Sequence, residues 1–268
     1  MQTTDATPLW LAREAVAERV AEAPGVVCCL DFDGTLAPIV DDPDAAAMPD
    51  PVRERVTDLA DCAAVDLAVV SGRELADLRE RVGVDGVAYA GNHGLELRYD
   101  GREVVNPRAE RRRDAVDRVC ESLEGRLAHV PGVEVENKSL TATVHVRRVP
   151  DGRVAEVDRT VRDTVEEVMA TGPALEIRDG KAIREIRPAV DWDKGRAVER
   201  LVDEAPDDWL PLYVGDDTTD EDAFGALRDA DGRLGVLVGE RETAADYRLE
   251  DVRDVPDLLD LIAEAHCE

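Results

Sequence analysis

The chain has 268 residues, with 33 Lys and Arg against 61 Asp and Glu, a formal net charge of −28 with His neutral. So acidic a surface repels nucleic-acid backbones and anionic membranes, and neither is expected as a partner. No apolar run approaches the ~20 residues that span a bilayer, and the acidic N-terminal stretch has no leader-like apolar segment, so a cytoplasmic protein is expected. The length suits one large or two modest domains. The five cysteines, Cys28, Cys29, Cys62, Cys120 and Cys267, show no CxxC spacing and suggest neither a disulfide framework nor a zinc site. Acids spread along the whole chain, with lysine only at positions 138, 181 and 194, suit a salt-adapted, halophilic cytoplasm, where self-repulsion is screened within ~3 Å at 1 M. In so lysine-poor a chain Lys138 and Lys194 stand out; Lys181 reads equally well as a solvated surface residue.

In chain order, Pro8 to Ala23 reads as a helix with apolar positions at Leu11, Ala15, Val16 and Val20. The run from Val26 reads as a buried strand ending in the acid pair Asp31 and Asp33. A Pro- and Asp-rich loop, Pro38 to Pro51, comes next as a mobile flap. A helix over about Val52 to Ala63, a strand from Val65 to Ser71, a helix from Arg73 to Val82 and a strand from Gly86 into the turn Gly91–Gly94 complete a β-α-β-α-β alternation. Such alternation predicts right-handed crossovers and a doubly wound, mainly parallel α/β sheet.

Near Pro107 the pattern changes. Arg108 to Leu127 reads as a long charged helix. Val133 to Val149 alternates like a strand, with Thr141, Thr143 and His145 on one face and Leu140, Ala142, Val144 and Val146 on the other. Another helix, Val154 to Ala170, precedes two strands, Ala174 to Ile177 and Ala182 to Ile186, joined at Arg178-Asp179-Gly180. Residues 108–188 thus read as an α+β insertion between two parts of one core, 1–107 and 189–268. The core resumes with a helix opened by Lys194, a strand through Tyr213, a helix from Asp220 to Ala230 in which Thr219 reads as the cap, a strand from Gly232 to Gly239 and a C-terminal helix.

Strand ends carry the chemistry. The C-terminal edge of a parallel sheet is where such folds bind ligands. There the chain places Asp31-Phe32-Asp33-Gly34-Thr35-Leu36, Ser71-Gly72-Arg73 and Gly215-Asp216-Asp217-Thr218-Thr219-Asp220, with Asp193-Lys194-Gly195 opening a helix between them. Two close carboxylates repel unless a cation or proton lies between them, and Mg2+ is the natural partner of such an oxygen-rich corner. Taken singly, each segment is ordinary: a turn, a helix cap, a surface lysine, an acidic helix start. In this order they resemble the four-part signature of the haloacid dehalogenase superfamily of phosphotransferases.

That resemblance implies a haloacid dehalogenase-like core in which Asp31 is the nucleophile and forms an aspartyl-phosphate that water then cleaves. It implies Mg2+ held by Asp31, by the backbone carbonyl of Asp33 and by Asp216, with Asp217 and Asp220 supporting the metal and Lys194 from behind. Asp33 would protonate the leaving alkoxide and later deprotonate the water, which requires a raised pKa. Ser71 and the Gly72 N–H would hold the transferring oxygens, and Lys194 would supply fixed positive charge.

A closer resemblance rests on Gly91-Asn92-His93-Gly94-Leu95-Glu96, Glu136-Asn137-Lys138, His145-Val146-Arg147, Glu185-Ile186-Arg187-Pro188 and GDDTTDEDAF from Gly215. These are similar to the trehalose 6-phosphate phosphatase family, from about residue 26 to 240. It implies hydrolysis of trehalose 6-phosphate, a Mg2+ cofactor, a cap over the core, and a trehalose phosphate synthase as a partner in the same pathway. Candidate contacts to the phosphosugar are Gly72, Arg73, Asn92, His93, Glu96, Lys138, His145, Glu185 and Arg187; among them Glu96, Lys138, His145, Glu185 and Arg187 can supply the bidentate or charged hydrogen bonds that suit a hydroxyl-rich disaccharide. For each of these a purely structural role stands beside the functional one. Other readings remain: a phosphatase for sucrose phosphate, mannosylphosphoglycerate or a hexose phosphate, a phosphomutase, a signalling receiver domain, or an inactive binding module. Motif order and chain length disfavour the receiver domain, and the intact acid set disfavours the inactive module.

Overall fold

The computed structural model describes residues 6–40, 42–180, 182–228 and 232–267. Contacts divide the chain into two units, Met1–Val104 with Trp192–Glu268, and Val105–Asp191, against an expected insertion of 108–188.

The larger unit runs β1 (Thr7–Pro8), α1 (Arg13–Glu22), β2 (Val26–Asp31), α2 (Asp50–Ala60), β3 (Val65–Val70), α3 (Leu75–Val82), β4 (Ala88–Gly91), β5 (Glu96–Tyr99) and β6 (Arg102–Val105). The smaller holds α4 (Pro107–Glu110), α5 (Arg113–Leu127), β7 (Glu134–Asn137), β8 (Ala142–His145), α6 (Asp151–Met169), β9 (Leu175–Asp179) and β10 (Ile183–Pro188). The chain returns through α7 (Lys194–Val202), β11 (Leu210–Gly215), α8 (Glu221–Arg228), β12 (Leu234–Val238), β13 (Tyr247–Leu249) and α9 (Val255–His266).

The large sheet has nine strands in the order β1-β13-β12-β11-β2-β3-β4-β5-β6. It is parallel from β1 through β4, and β5 pairs antiparallel with β4. β2 lies between β11 and β3, so the winding changes direction there and the carboxyl ends of these three strands share one edge, the place where open α/β sheets leave a crevice. All six residues of β2 are buried because both faces are covered. Val26, Cys28 and Leu30 join a core with α1, α2, α3 and α9, while Val27 and Cys29 join one with α7 and α8. Each such aliphatic side chain contributes roughly 1.5–3 kcal/mol, which makes β2 a rigid support for the turn that begins at Asp31.

The smaller unit is a four-stranded antiparallel sheet, β7-β8-β10-β9, with α5 and α6 on one face. Ala142, Val144 and Ile186 pack toward those helices. By strand alternation, Glu136, Thr143, His145, Glu185 and Arg187 lie on the opposite face.

Several elements differ from the sequence reading. Pro8 pairs with β13 as an edge strand, Leu9–Leu11 is a 3-10 turn, and the helix begins only at Arg13, leaving Leu11 84% exposed rather than in the core. β2 stops at Asp31, so Asp33 sits in the turn after it. α3 starts at Leu75, not Arg73. The stretch 133–149 is two strands, turned back where Lys138 N–H donates to the Thr141 carbonyl at 2.9 Å and Ser139 adopts φ 66°. The hairpin β5–β6 was not expected, although Asp100-Gly101, both at positive φ, is the dipeptide that a tight primed turn demands. Asp217, not Thr219, caps the turn into α8, with Asp220 reciprocating. Lys181 and the end of the helix expected to reach Ala230 lie outside the described residues.

Candidate active site

The edge at β2 is built around a buried ammonium. Lys194, the first residue of α7, points its Nζ at Asp31 Oδ1 (2.7 Å) and Asp220 Oδ1 (2.6 Å), and all three side chains are almost fully buried. Asp220 is saturated. Its Oδ1 also accepts from Tyr213 Oη at 2.6 Å, and its Oδ2 accepts the N–H groups of Asp216 (2.9 Å) and Asp217 (2.8 Å). Burial would raise the Asp220 pKa, but Lys194 and these donors hold it below the usual carboxylate range.

Asp31 and Asp216 go the other way. Burial raises Asp31 well above its ordinary value, against the pull of Lys194 and reinforced by Asp220 and Asp216. Burial, then Asp220, push Asp216 up to about 7. Asp216 Oδ1 is buried with no hydrogen-bond partner. Oxygens of Asp31, Asp216 and Asp220 lie within 4.8 Å of one another. A hard divalent cation fits this donor set, since three carboxylates face one ammonium and one buried oxygen lacks a donor. Asp220 is excluded as a ligand because its four hydrogen bonds occupy both oxygens, which leaves Asp31 and Asp216 as the side chains able to hold the ion.

Two glycines give this corner its shape. Gly34 adopts φ 92°, and a Cβ there would lie 2.2 Å from Asp216 Oδ2. Its N–H donates to the Ala37 carbonyl at 2.7 Å, closing the turn after Asp33. A Cβ at Gly72 would lie 2.6 Å from His93 Cε1 and Nε2, so the imidazole rests directly on the Ser71-Gly72 backbone.

The other residues singled out in the sequence fall into local groups. Ser71 is buried, and its Oγ accepts the Arg73 N–H at 3.2 Å. Asn92 and His93 adopt left-handed φ of 49° and 56°, and their N–H groups bond the carbonyls of Arg73 (2.6 Å) and Ser71 (2.9 Å). Asn92 Nδ2 donates to Glu96 Oε2 at 2.8 Å, and the same oxygen accepts the Leu75 N–H that opens α3. Asn92 and Glu96 thus brace the loop that carries Ser71 and Gly72. Arg73 forks onto Asp33, Nε to Oδ2 and Nη2 to Oδ1, both at 2.7 Å, and also reaches Asp77 and the Pro43 carbonyl. The Asp33 carboxylate is held by this fork. Asp217 turns to its capping role, its Oδ1 accepting the Thr218 N–H at 2.7 Å.

In the smaller unit, His145 Nε2 bonds Glu136 Oε2 at 2.8 Å, Lys138 Nζ lies 3.7 Å from the same oxygen, and Arg187 Nε lies 3.4 Å from Glu176 Oε1. Glu185 and Arg187 are buried on the neighbouring strand. Sequence reasoning missed Tyr213, whose signal was a buried phenol needing an acceptor near the acid cluster. It also missed Arg241, on the loop between β12 and β13, whose Nε donates to the Asp216 carbonyl at 3.1 Å.

The family model for trehalose-phosphatase matches residues 29–253. The chain belongs to the trehalose-phosphatase family. It is 35% identical over 263 residues to probable trehalose-phosphate phosphatase H of Arabidopsis thaliana, covering 91% of this chain and 74% of that protein. It is 40% identical over 233 residues to the trehalose-phosphate phosphatase of Mycobacterium marinum, covering 82% of this chain but only 57% of that longer protein. Among solved structures, the C-terminal domain of trehalose-6-phosphate phosphatase from C. albicans superposes with TM-score 0.81 at 26% identity, covering 98% of this chain and 99% of that one. A haloacid dehalogenase-like hydrolase from Bacteroides thetaiotaomicron (TM-score 0.60, 15% identity, 89% of this chain and 99% of that one) shares the fold. The fold of this chain is thus haloacid dehalogenase-like.

Proposed function

We propose that the protein hydrolyses trehalose 6-phosphate to trehalose and phosphate, with Asp31 as the nucleophile that carries the phosphoryl group. The observation that carries this reading is the buried Asp31–Lys194–Asp220 chain beside the unbonded Asp216 oxygen. One carboxylate, Asp31, ends β2 at the carboxyl edge of the sheet, and the ammonium that bonds it is fixed by a second, Asp220. Asp31, Asp216 and the Asp33 carbonyl would hold Mg2+. The ion would neutralise charge between carboxylate and phosphate, keeping Asp31 ionised despite its burial. Lys194, braced by Asp220, holds the non-attacking side of Asp31 and orients the other oxygen outward. Ser71 and the Gly72 N–H receive phosphate oxygens. Asp33 serves the leaving sugar oxygen, and to reach it must leave the Arg73 fork where it rests.

The smaller unit is a substrate-reading cap on this view. The polar sheet face with Glu136, Lys138, His145, Glu185 and Arg187 matches the hydroxyl-rich character of a disaccharide. The five cysteines, all free, suit a reducing cytoplasm, and the charge of −28 suits one rich in salt. No helix among the described residues is long and apolar enough to cross a membrane.

The test is phosphate release from a panel of phosphosugars, with Asp31→Asn as the control. Trehalose 6-phosphate is expected to lead the panel, and D31N, still folded by circular dichroism, to release none. A sucrose or hexose phosphate leading the panel would move the substrate; turnover by D31N would remove Asp31 as nucleophile.

A further inference from the structure

The turn that carries Asp216 is gripped from a second direction. Arg241 donates from Nε to the Asp216 carbonyl at 3.1 Å and from Nη2 to the Asp217 carbonyl at 2.5 Å. Its Nη1 meets Glu221 Oε1, at the start of α8, at 2.5 Å. Glu221 in turn anchors the Arg241 loop: it accepts from Thr243 Oγ1 at 2.8 Å and from the Ala244 N–H at 2.7 Å. The Arg241 and Glu221 side chains are only 24% and 18% exposed. The peptides on both sides of Asp216 are therefore fixed, the preceding one through the Asp216 N–H to Asp220 Oδ2 and the following one through the Asp216 carbonyl to Arg241. A planar fork that spans two successive carbonyls sets a peptide orientation in a way that a single flexible ammonium does not.

We infer that Arg241, braced by Glu221, is a positioning residue that presets the Asp216 carboxylate for the divalent cation. It touches only the backbone of the turn and takes no part in phosphoryl transfer. A carboxylate on a loose turn would have to be ordered by the ion, and the cost would appear as lost affinity; partners that orient a metal ligand are typically worth about 10–100-fold in metal binding. The inference rests on the proposed Mg2+ site at Asp31 and Asp216.

The experiment is calorimetric titration of metal-stripped protein with MgCl2 alone, alongside thermal melting without metal. Arg241→Ala is expected to weaken Mg2+ binding about tenfold or more. Arg241→Lys should regain part of it, and Arg248→Ala, which removes a partner of exposed Glu240 on the same loop, should change nothing. A merely structural Arg241 would lower the melting temperature and leave the Mg2+ Kd unmoved, and that result overturns the inference while sparing the metal site. Wild-type protein that binds no Mg2+ overturns both. Should R241A fail to fold, Glu221→Gln serves instead, since it keeps the shape and removes the charge; wild-type affinity in E221Q then overturns the inference.

Discussion

Asp220→Asn separates two roles for a fully enclosed acid. Asp220 has no exposed surface and accepts from Lys194 Nζ, Tyr213 Oη and two backbone N–H groups at 2.6, 2.6, 2.9 and 2.8 Å. An asparagine has one accepting oxygen and an NH2 that only donates. Turned one way, the NH2 meets the Asp216 and Asp217 N–H groups; turned the other, it meets the Lys194 ammonium and forces the Tyr213 hydroxyl to reverse. Either way about two charge-assisted hydrogen bonds are lost, at roughly 1.5–3 kcal/mol each, so the expected loss is about 3–6 kcal/mol. Relief of repulsion with Asp31 and Asp216 offsets part of this without metal, a part kept small because burial favours the neutral form of both. A loss of that size is a large part of a typical domain's 5–15 kcal/mol and lowers Tm by about 6–20 °C. The assay is urea and thermal unfolding of D220N and wild type in excess chelator. Were Asp220 instead a metal ligand that did not depend on these four bonds, the substitution would cost the metal-free protein little. Metal-free D220N as stable as wild type, or more so, refutes the hydrogen-bond reasoning.

Three further outcomes are expected of the same site and surface. Because burial pushes Asp216 up to about 7 without metal, protons and Mg2+ compete for its carboxylate, so Mg2+ affinity measured by calorimetry should fall as pH drops through about 7; affinity flat from pH 5 to 8 would contradict this. His145→Ala should lower kcat/KM for trehalose 6-phosphate by about 10–100-fold, the worth of one charged hydrogen bond, and leave p-nitrophenyl phosphate within about twofold; equal losses would assign His145 to structure. With a net charge of −28, the melting temperature should rise from 0.1 M to about 2 M KCl as self-repulsion is screened, and a flat or falling curve would reject salt adaptation.

What the sequence determined by itself is what local patterning encodes. A doubly buried strand must read as an unbroken apolar run, so Val26 to Leu30 announced β2, and the acids after it could only lie at the strand edge. Ser71, Lys194 and Asp216 were legible for the same reason, each marking the end of a strand or the start of a helix. The Asp100-Gly101 hairpin was equally local, and was overlooked rather than hidden. Tertiary structure alone decided which acid bonds which base. Asp33 resting on Arg73, Asp220 saturated by Lys194 and Tyr213, Asn92 bracing Glu96, and Arg241 clasping the Asp216 turn all join groups whose spacing carries no periodic signal. Leu11 shows the converse, an apolar residue at helical spacing left in solvent because Pro8 was taken by a strand formed some 240 residues later. Patterning records whether a side chain is buried. The partner of a buried charge is settled only when remote segments meet, because desolvation demands a partner without specifying where along the chain it lies.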